Sequence, residues 1–259
     1  MRALITGASK GIGRAVALRL ATPGATLALA AGRLSEELEA TSSMVLERGA
    51  VPVVLAGDLA GPDAATDLVR RAAAALGGLD GVVSNAGVSR PGSLGALSVA
   101  AWDEVFAVNV RAPWLLARAA FPLLAASGGA FVGVASMSGV APYPGMGAYS
   151  PSKAAMIMLV RVLAQEWAAA GVRANAVSPG LFETPLTAAT YADAEIRETR
   201  TAQVPLGRIG QPAQDVAGAV AFLLSSDAGY LTGQNLIVDG GLLDTVQGRL
   251  PGRPATDAS

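Results

Sequence analysis

Tyr149 and Lys153 stand four residues apart in the run Tyr-Ser-Pro-Ser-Lys, and Ser136 precedes them in the stretch SMSGVAPYPGMGAYSPSK. If the chain from about residue 149 onward is helical, Tyr149 and Lys153 lie one turn apart on the same face. A phenol titrates near ~10 and is a poor acid or base at neutral pH. A neighbouring ammonium favours the phenolate and lowers that value, each unit being worth ~1.4 kcal/mol. A hydroxyl from Ser136, brought in by a preceding strand, could polarise or hold an oxygen that gains or loses a proton. The same spacing also arises when an aromatic packs beside a solvated charge, so the pair gains meaning only from the elements that position it.

Composition narrows the chemistry. The 259 residues include no cysteine and no histidine, so disulfides, thiol nucleophiles, imidazole bases and Cys- or His-ligated metals are all excluded. Acid–base work falls to Tyr, Lys or a carboxylate. A net charge of −1 with 15% charged residues argues against nucleic-acid and acidic-membrane partners. Met1-Arg2 leads into an apolar run cut at Thr6-Gly7, which does not read as a signal peptide, and Arg118 and Arg161 interrupt the longest apolar stretches. The expectation is a soluble, cytoplasmic protein that binds neither membrane nor nucleic acid and holds no metal.

Strand-like and helix-like segments alternate along the chain. A short strand at 3–5 opens onto Thr6-Gly-Ala-Ser-Lys-Gly-Ile-Gly13, followed by a helix to about 21. Glycines between a strand and a helix let the backbone approach phosphate groups, and the helix N-terminus adds N–H donors. Further strands are expected at 27–31, 51–56, 81–87, 130–135, 172–177 and 235–238, with helices at about 35–48, 62–76, 102–125, from 149, and 212–224. This rhythm predicts an α/β fold, a doubly wound Rossmann-type parallel sheet with helices on both faces. Ligands in such sheets bind at the carboxyl ends of the strands near the switch point, and every chemically interesting turn here follows a strand. Residues 1–244 read as one domain and 245–259, with Pro251, Gly252 and Pro254, as a disordered tail. The excursion at 181–207 has no clear strand and reads equally as a substrate lid or an irregular surface segment.

The ordered set of motifs resembles the short-chain dehydrogenase/reductases, in the compact single-domain branch similar to 3-oxoacyl-carrier-protein reductases. The resemblance runs from Ala3 to Gly241 and rests on the glycine turn, Asp58, Asn85-Ala-Gly87, Asn109, Ser136, Tyr149 with Lys153, Pro179-Gly180 and Asp239-Gly-Gly241. It implies hydride transfer between a nicotinamide cofactor and a carbonyl or secondary alcohol. Tyr149 would be the acid/base and Ser136 would hold the substrate oxygen. Lys153 would grip the ribose hydroxyls and lower the tyrosine pKa, and Asn109 would keep a water-linked proton relay in place, though an asparagine there could equally distort its helix. Cofactor contacts would come from Gly7, Ser9, Lys10, Gly11, Ile12, Gly13, Arg33, Asp58, Leu59, Asn85, Ala86, Gly87, Tyr149, Lys153, Pro179, Gly180 and Thr184. Ser84 stands where the family usually has asparagine. A non-catalytic dinucleotide-binding subunit or redox sensor is the alternative on the same fold, and the filled catalytic positions weigh against it.

Three finer expectations follow. Arg33 and Lys10, with no acid after the second strand until Glu36, point to NADP(H) over NAD(H), with NAD(H) use still open. The segments 88–94, 137–146 and 181–206 offer Met137, Tyr143, Met146, Leu181, Phe182 and Leu186 to a small-molecule substrate uncharged at its reacting end, Arg90 and Glu183 being the exceptions. The helix after Tyr149 is apolar nearly all round, as is the region 102–124, which predicts a homodimer or homotetramer.

Overall fold

A computed structural model describes residues 1–185 and 187–245. The expected tail beyond Thr245, and Leu186, lie outside the described residues. The elements run β1 (Arg2–Thr6), α1 (Gly11–Leu20), β2 (Thr26–Ala31), α2 (Glu36–Glu47), β3 (Val51–Ala56), α3 (Ala64–Leu76), β4 (Gly81–Ser84), α4 (Val99–Phe106), α5 (Ala112–Ser127) and β5 (Ala130–Val134). They continue with α6 (Tyr149–Trp167), β6 (Arg173–Pro179), α7 (Ala188–Tyr191), α8 (Ala194–Thr201), α9 (Ala217–Leu224) and β7 (Asn235–Val238).

The strands form one parallel sheet in the order β3-β2-β1-β4-β5-β6-β7. They are short apolar runs because both faces are covered. Leu4, Ala28, Val82 and Phe131 point to the layer of α3, α5 and α6, where Leu68, Leu116 and Met156 pack. Ile5, Leu29, Val83 and Val132 point the other way, to Val16, Leu38 and Val220 of α1, α2 and α9. Successive strands are added leftward from β1 to β3 and then rightward from β4 to β7, so the switch point lies between β1 and β4, and the ends of β1, β4, β5 and β6 carry the glycine turn, Asn85, Ser136 and Gly180. The convergence expected from the alternating pattern is therefore present.

Three segments differ from their sequence reading. The helix expected over 102–125 is two helices joined by a π-turn at Ala107–Arg111. That turn carries one extra residue per revolution and swings Asn109 into the interior, where it is 0% exposed. The helix expected from Pro212 likewise begins as a π-turn, Pro212–Val216, before α9. The excursion at 181–207 is not irregular: it contains α7 and α8, the latter capped by Asp193 accepting from the Ile196 N–H. Among the described residues no helix is long and apolar enough to cross a membrane, and no cluster of acidic residues could hold a metal ion.

Candidate functional site

A cleft of about 940 Å³ runs across the strand ends and is lined by the glycine turn, Asn85–Gly87, Ser136, Tyr149, Lys153 and Gly180. Tyr149 opens α6 and Lys153 follows one turn later, its Nζ 5.5 Å from the Tyr149 ring centroid. The ammonium is buried and donates to the Val134 carbonyl at 2.9 Å. Burial brings its pKa down to about 8. Burial also pushes the Tyr149 phenol up, the neighbouring Ser136 hydroxyl opposing this and Tyr143 adding to it. This corrects the expectation that the ammonium lowers the phenol's pKa: Nζ is committed to Val134 and faces the ring, so desolvation dominates and the serine supplies the counter-effect.

Asn109 holds the strand-end loop from both sides. Its Oδ1 accepts from the Val88 N–H and its Nδ2 donates to the Val88 carbonyl, both at 2.9 Å, with a further bond to Ser152 Oγ at 3.0 Å. Ser152 Oγ in turn donates to the Tyr149 carbonyl at 2.6 Å. Gly87 fits between these groups because a Cβ there would come within 3.3 Å of Asn109 Oδ1 and 3.4 Å of Lys153 Nζ.

The glycine turn is equally constrained. Gly7 and Gly11 have φ of +66° and +57°, and a Cβ on Gly13 would run into the Gly7 carbonyl. Asn85 Nδ2 donates to the carbonyls of Thr6 and Gly7 at 3.0 and 3.2 Å, while Thr6 Oγ1 accepts from the Asn85 and Ala86 N–H groups. Arg14, which sequence reasoning passed over, clamps the turn by donating to the Ser9 carbonyl at 2.5 Å and the Glu37 carbonyl at 2.8 Å. No spacing signal marks it, because the contact that joins the turn to α2, the one to the Glu37 carbonyl, comes from a different helix. A cradle this tight, open to a cleft of this length, fits a dinucleotide phosphate group.

The family is decided by comparison with known proteins. A family model described as enoyl-(acyl carrier protein) reductase matches residues 7–243. The chain is 35% identical over 241 residues to a 3-oxoacyl-[acyl-carrier-protein] reductase of Staphylococcus aureus, covering 93% of this chain and 97% of that one. It is 38% identical over 241 residues to the cis-4-hydroxycyclohexanecarboxylate dehydrogenase of Sinomonas cyclohexanicum, covering 92% and 95%. A crystal structure of a short chain dehydrogenase from Burkholderia cenocepacia in complex with NADP superposes with a TM-score of 0.86 at 34% identity, covering 93% and 97%. The chain belongs to the short-chain dehydrogenase/reductase family. As a member it is an NAD(P)-dependent oxidoreductase acting between an alcohol and a carbonyl, and the non-catalytic alternative is not favoured.

Within this dehydrogenase/reductase the sequence-selected positions do not all reach the cleft. Gly7, Ser9, Lys10, Gly11, Ile12, Asp58, Leu59, Asn85, Ala86, Gly87, Ser136, Tyr149, Lys153, Pro179, Gly180 and Thr184 line it. Asp58 Oδ1 also accepts from the Ala60 N–H, so it shapes its own turn while facing the cleft. Gly13 and Asn109 act from behind, and Arg33 is an exposed residue that does not line the cleft. Contrary to the reading that no carboxylate opposes the two cations, Glu37 at the start of α2 lies near both. Its carboxyl is held low by its own backbone N–H and by Ser35, with Lys10 and Arg33 adding to the effect.

The substrate side departs from expectation as well. Met137, Tyr143, Met146, Leu181 and Phe182 line the cleft as expected. Arg90 and Glu183 do not. Arg90 is paired with Glu104 and Glu183 with Arg197. The charge that does line the cleft is Arg200 of α8, beside Tyr191. Neither was singled out from the sequence, since only the folding back of α7 and α8 brings them there.

Proposed function

We propose that the chain is an NADP(H)-preferring reductase/dehydrogenase that interconverts a carbonyl and its secondary alcohol, with Tyr149 as proton donor and acceptor. The observation that supports this most is the placement of the Tyr149 phenol, opposed by the Ser136 hydroxyl and backed by Lys153, in the same cleft as the glycine cradle. The bound nicotinamide supplies or accepts the hydride. Tyr149 gives its proton to the carbonyl oxygen in reduction and takes it from the alcohol in oxidation. Ser136 fixes that oxygen. Lys153 keeps one donor on Val134 and has two left for ribose hydroxyls. Asn109 is a positioning residue whose two bonds to Val88 hold the loop beside Gly87. Gly7, Gly11 and Gly13 would cradle the phosphates, Asp58 and Leu59 would line the adenine end, and Thr184 stands over Gly11, its Cβ 3.8 Å from where a Cβ added to Gly11 would lie.

Replacing Tyr149 by Phe keeps the ring and removes the proton. Turnover should fall at least ~10²-fold while NADP(H) still binds. Near-normal turnover in that variant would remove the mechanism.

Self-association belongs to the same proposal. On α6, Met156, Val160 and Leu163 face the sheet, whereas Met158 and Val162 are 55% and 45% exposed. Trp114 of α5 is 44% exposed. Pairing these helices across a two-fold axis buries both, giving a homodimer or homotetramer. A monomeric mass by sedimentation at micromolar protein would overturn it. We further propose a single domain over residues 1–244, working in the cytoplasm, which cell fractionation tests directly.

A further inference from the structure

The wall of the cleft contributed by α7 and α8 holds a guanidinium that no carboxylate among the described residues pairs with. Arg197, one turn earlier on α8, is fully engaged: it donates to both oxygens of Glu183 at 2.7 and 3.2 Å and to the Tyr191 carbonyl at 3.1 Å. Glu183 is saturated further by Gln211 at 3.2 Å. Arg208 is likewise paired with both oxygens of Asp215, and Arg90 with both of Glu104. Arg200 differs. Half-buried, it makes no ion pair among the described residues, and its guanidinium carbon lies 5.7 Å from the Tyr191 ring centroid. It lines the same cleft as Ser136 and Tyr149.

A second observation falls at the same place. Tyr191 is 3% exposed, lines the cleft, and has a hydroxyl buried without a hydrogen-bond partner. The guanidinium carbons of Arg197 and Arg200 lie 5.6 and 5.7 Å from its ring centroid. Buried hydroxyls are normally satisfied, so an orphan beside an unpaired cation marks a place where a ligand supplies the missing acceptor. The other charges lining the cleft have different occupations. Lys10 and Asp58 sit at the glycine-turn end and Lys153 is held on Val134.

We propose that Arg200, supported by Tyr191, is a specificity residue that binds a carboxylate on the substrate, away from the carbon that is oxidised or reduced. The proposal rests on the oxidoreductase reading above. Arginine offers a planar fork matched to a carboxylate, and its guanidinium lies over the Tyr191 ring. The reacting end of the substrate meets Met137, Tyr143 and Phe182 beside the Ser136–Tyr149 pair and carries no charge. A few placed polar groups in an apolar cleft orient a ligand in just this way. The substrate class is then an oxo acid or hydroxy acid, and its neutral ester is rejected because the cation is left unpaired.

The test uses matched pairs of oxo acids and their methyl esters, chain and ring, followed at the nicotinamide absorbance with wild type, Arg200→Gln, Arg200→Lys and Tyr191→Phe. Binding of NADPH to each variant is measured separately by fluorescence. Wild type should favour the acid of its best pair at least tenfold in kcat/KM. Arg200→Gln should raise KM for the acid at least tenfold and lower KM for the ester, which no longer leaves a cation unpaired, so that the preference for the acid is lost. Arg200→Lys should recover part of the acid preference, and Tyr191→Phe should weaken the acid more than the ester. Equal use of acid and ester by wild type overturns this subsite and leaves hydride transfer standing. A loss of NADPH affinity in Arg200→Gln assigns the cation to the cofactor's phosphates and also overturns it. No turnover of any carbonyl with either coenzyme overturns both readings together.

Discussion

Lys153 Nζ donates to the carbonyl of Val134 at 2.9 Å, a bond that ties the second turn of α6 to the last residue of β5. The cation is thereby fixed beneath the Tyr149 ring in a buried setting that disfavours its charge. Its pKa of about 8 compares with ~10.4 for an unperturbed lysine.

The linkage has a definite sign. Below about 8 both the folded and unfolded forms hold the proton, and the full cost of burying the ammonium, on the order of 3 kcal/mol, opposes folding. Between about 8 and ~10.4 the unfolded state holds more protons than the folded one, so this cost is relieved as pH rises. Lys153→Met should therefore gain stability relative to wild type at pH 7, and the difference should shrink towards pH 10. Denaturant melts at the two pH values measure it. A difference independent of pH would show that the lysine is not desolvated in the folded chain.

Ser136 and Tyr143 act on the Tyr149 phenol with opposite signs, the serine lowering its pKa and the second phenol raising it. Alcohol oxidation needs the phenolate, so its rate should climb with pH towards the phenol's raised value. Ser136→Ala should move that rising limb to higher pH and Tyr143→Phe to lower pH. At a pH on the limb, each unit of displacement changes the rate tenfold. pH–rate profiles of the two variants check this, and displacement in the same direction would contradict the arrangement. Ketone reduction, which needs the protonated phenol, should change little across the same range.

What the sequence disclosed and what it withheld divides along contact range. The glycine turn, Asn85-Ala-Gly87 and the Tyr149–Lys153 pair are local patterns at strand ends, and a parallel sheet must bring strand ends together. Asn109 was legible as a position but not as a geometry. Only the π-turn, a property of the packed helix, turns it inward to Val88 and Ser152. Glu37 lay one residue past the acid considered for Arg33, and it is the start of α2 that brings it towards both Lys10 and Arg33. Arg200 and Tyr191 belong to a segment with no strand signal. They enter the cleft through tertiary packing that no periodicity announces.

Asn109 supports a stability prediction as well. Asn109→Leu keeps the bulk and leaves the Val88 N–H, the Val88 carbonyl and Ser152 Oγ without this partner. Unsatisfied buried groups cost ~1–3 kcal/mol each, so the melting temperature should fall by several degrees in a domain of this size. Calorimetry of the variant checks it. An unchanged melting temperature would mean that the π-turn is held by packing alone.

Coenzyme choice turns on three charges at the end of β2. Lys10 lines the cleft, Arg33 is an exposed cation just beyond Ala31, and Glu37 faces both from the first turn of α2. NADP(H) brings a further phosphate to the adenosine ribose, and NAD(H) does not. Arg33 attracts that phosphate and Glu37 repels it while also occupying the two cations. Arg33→Ala should lower the NADP-to-NAD ratio of specificity constants, and Glu37→Gln should raise it. All three groups are exposed or partly exposed and screened by solvent, so each effect on the ratio should be modest, up to about fivefold. Raising the ionic strength should compress both effects, since the Debye length falls to about 3 Å at 1 M salt. Steady-state kinetics with both coenzymes, at low and high salt, measure the ratios. A ratio unmoved by Arg33→Ala with a response to Lys10→Ala would assign the phosphate to the glycine turn alone. A fall on Glu37→Gln would show that the carboxylate orients the cations and does not compete for them.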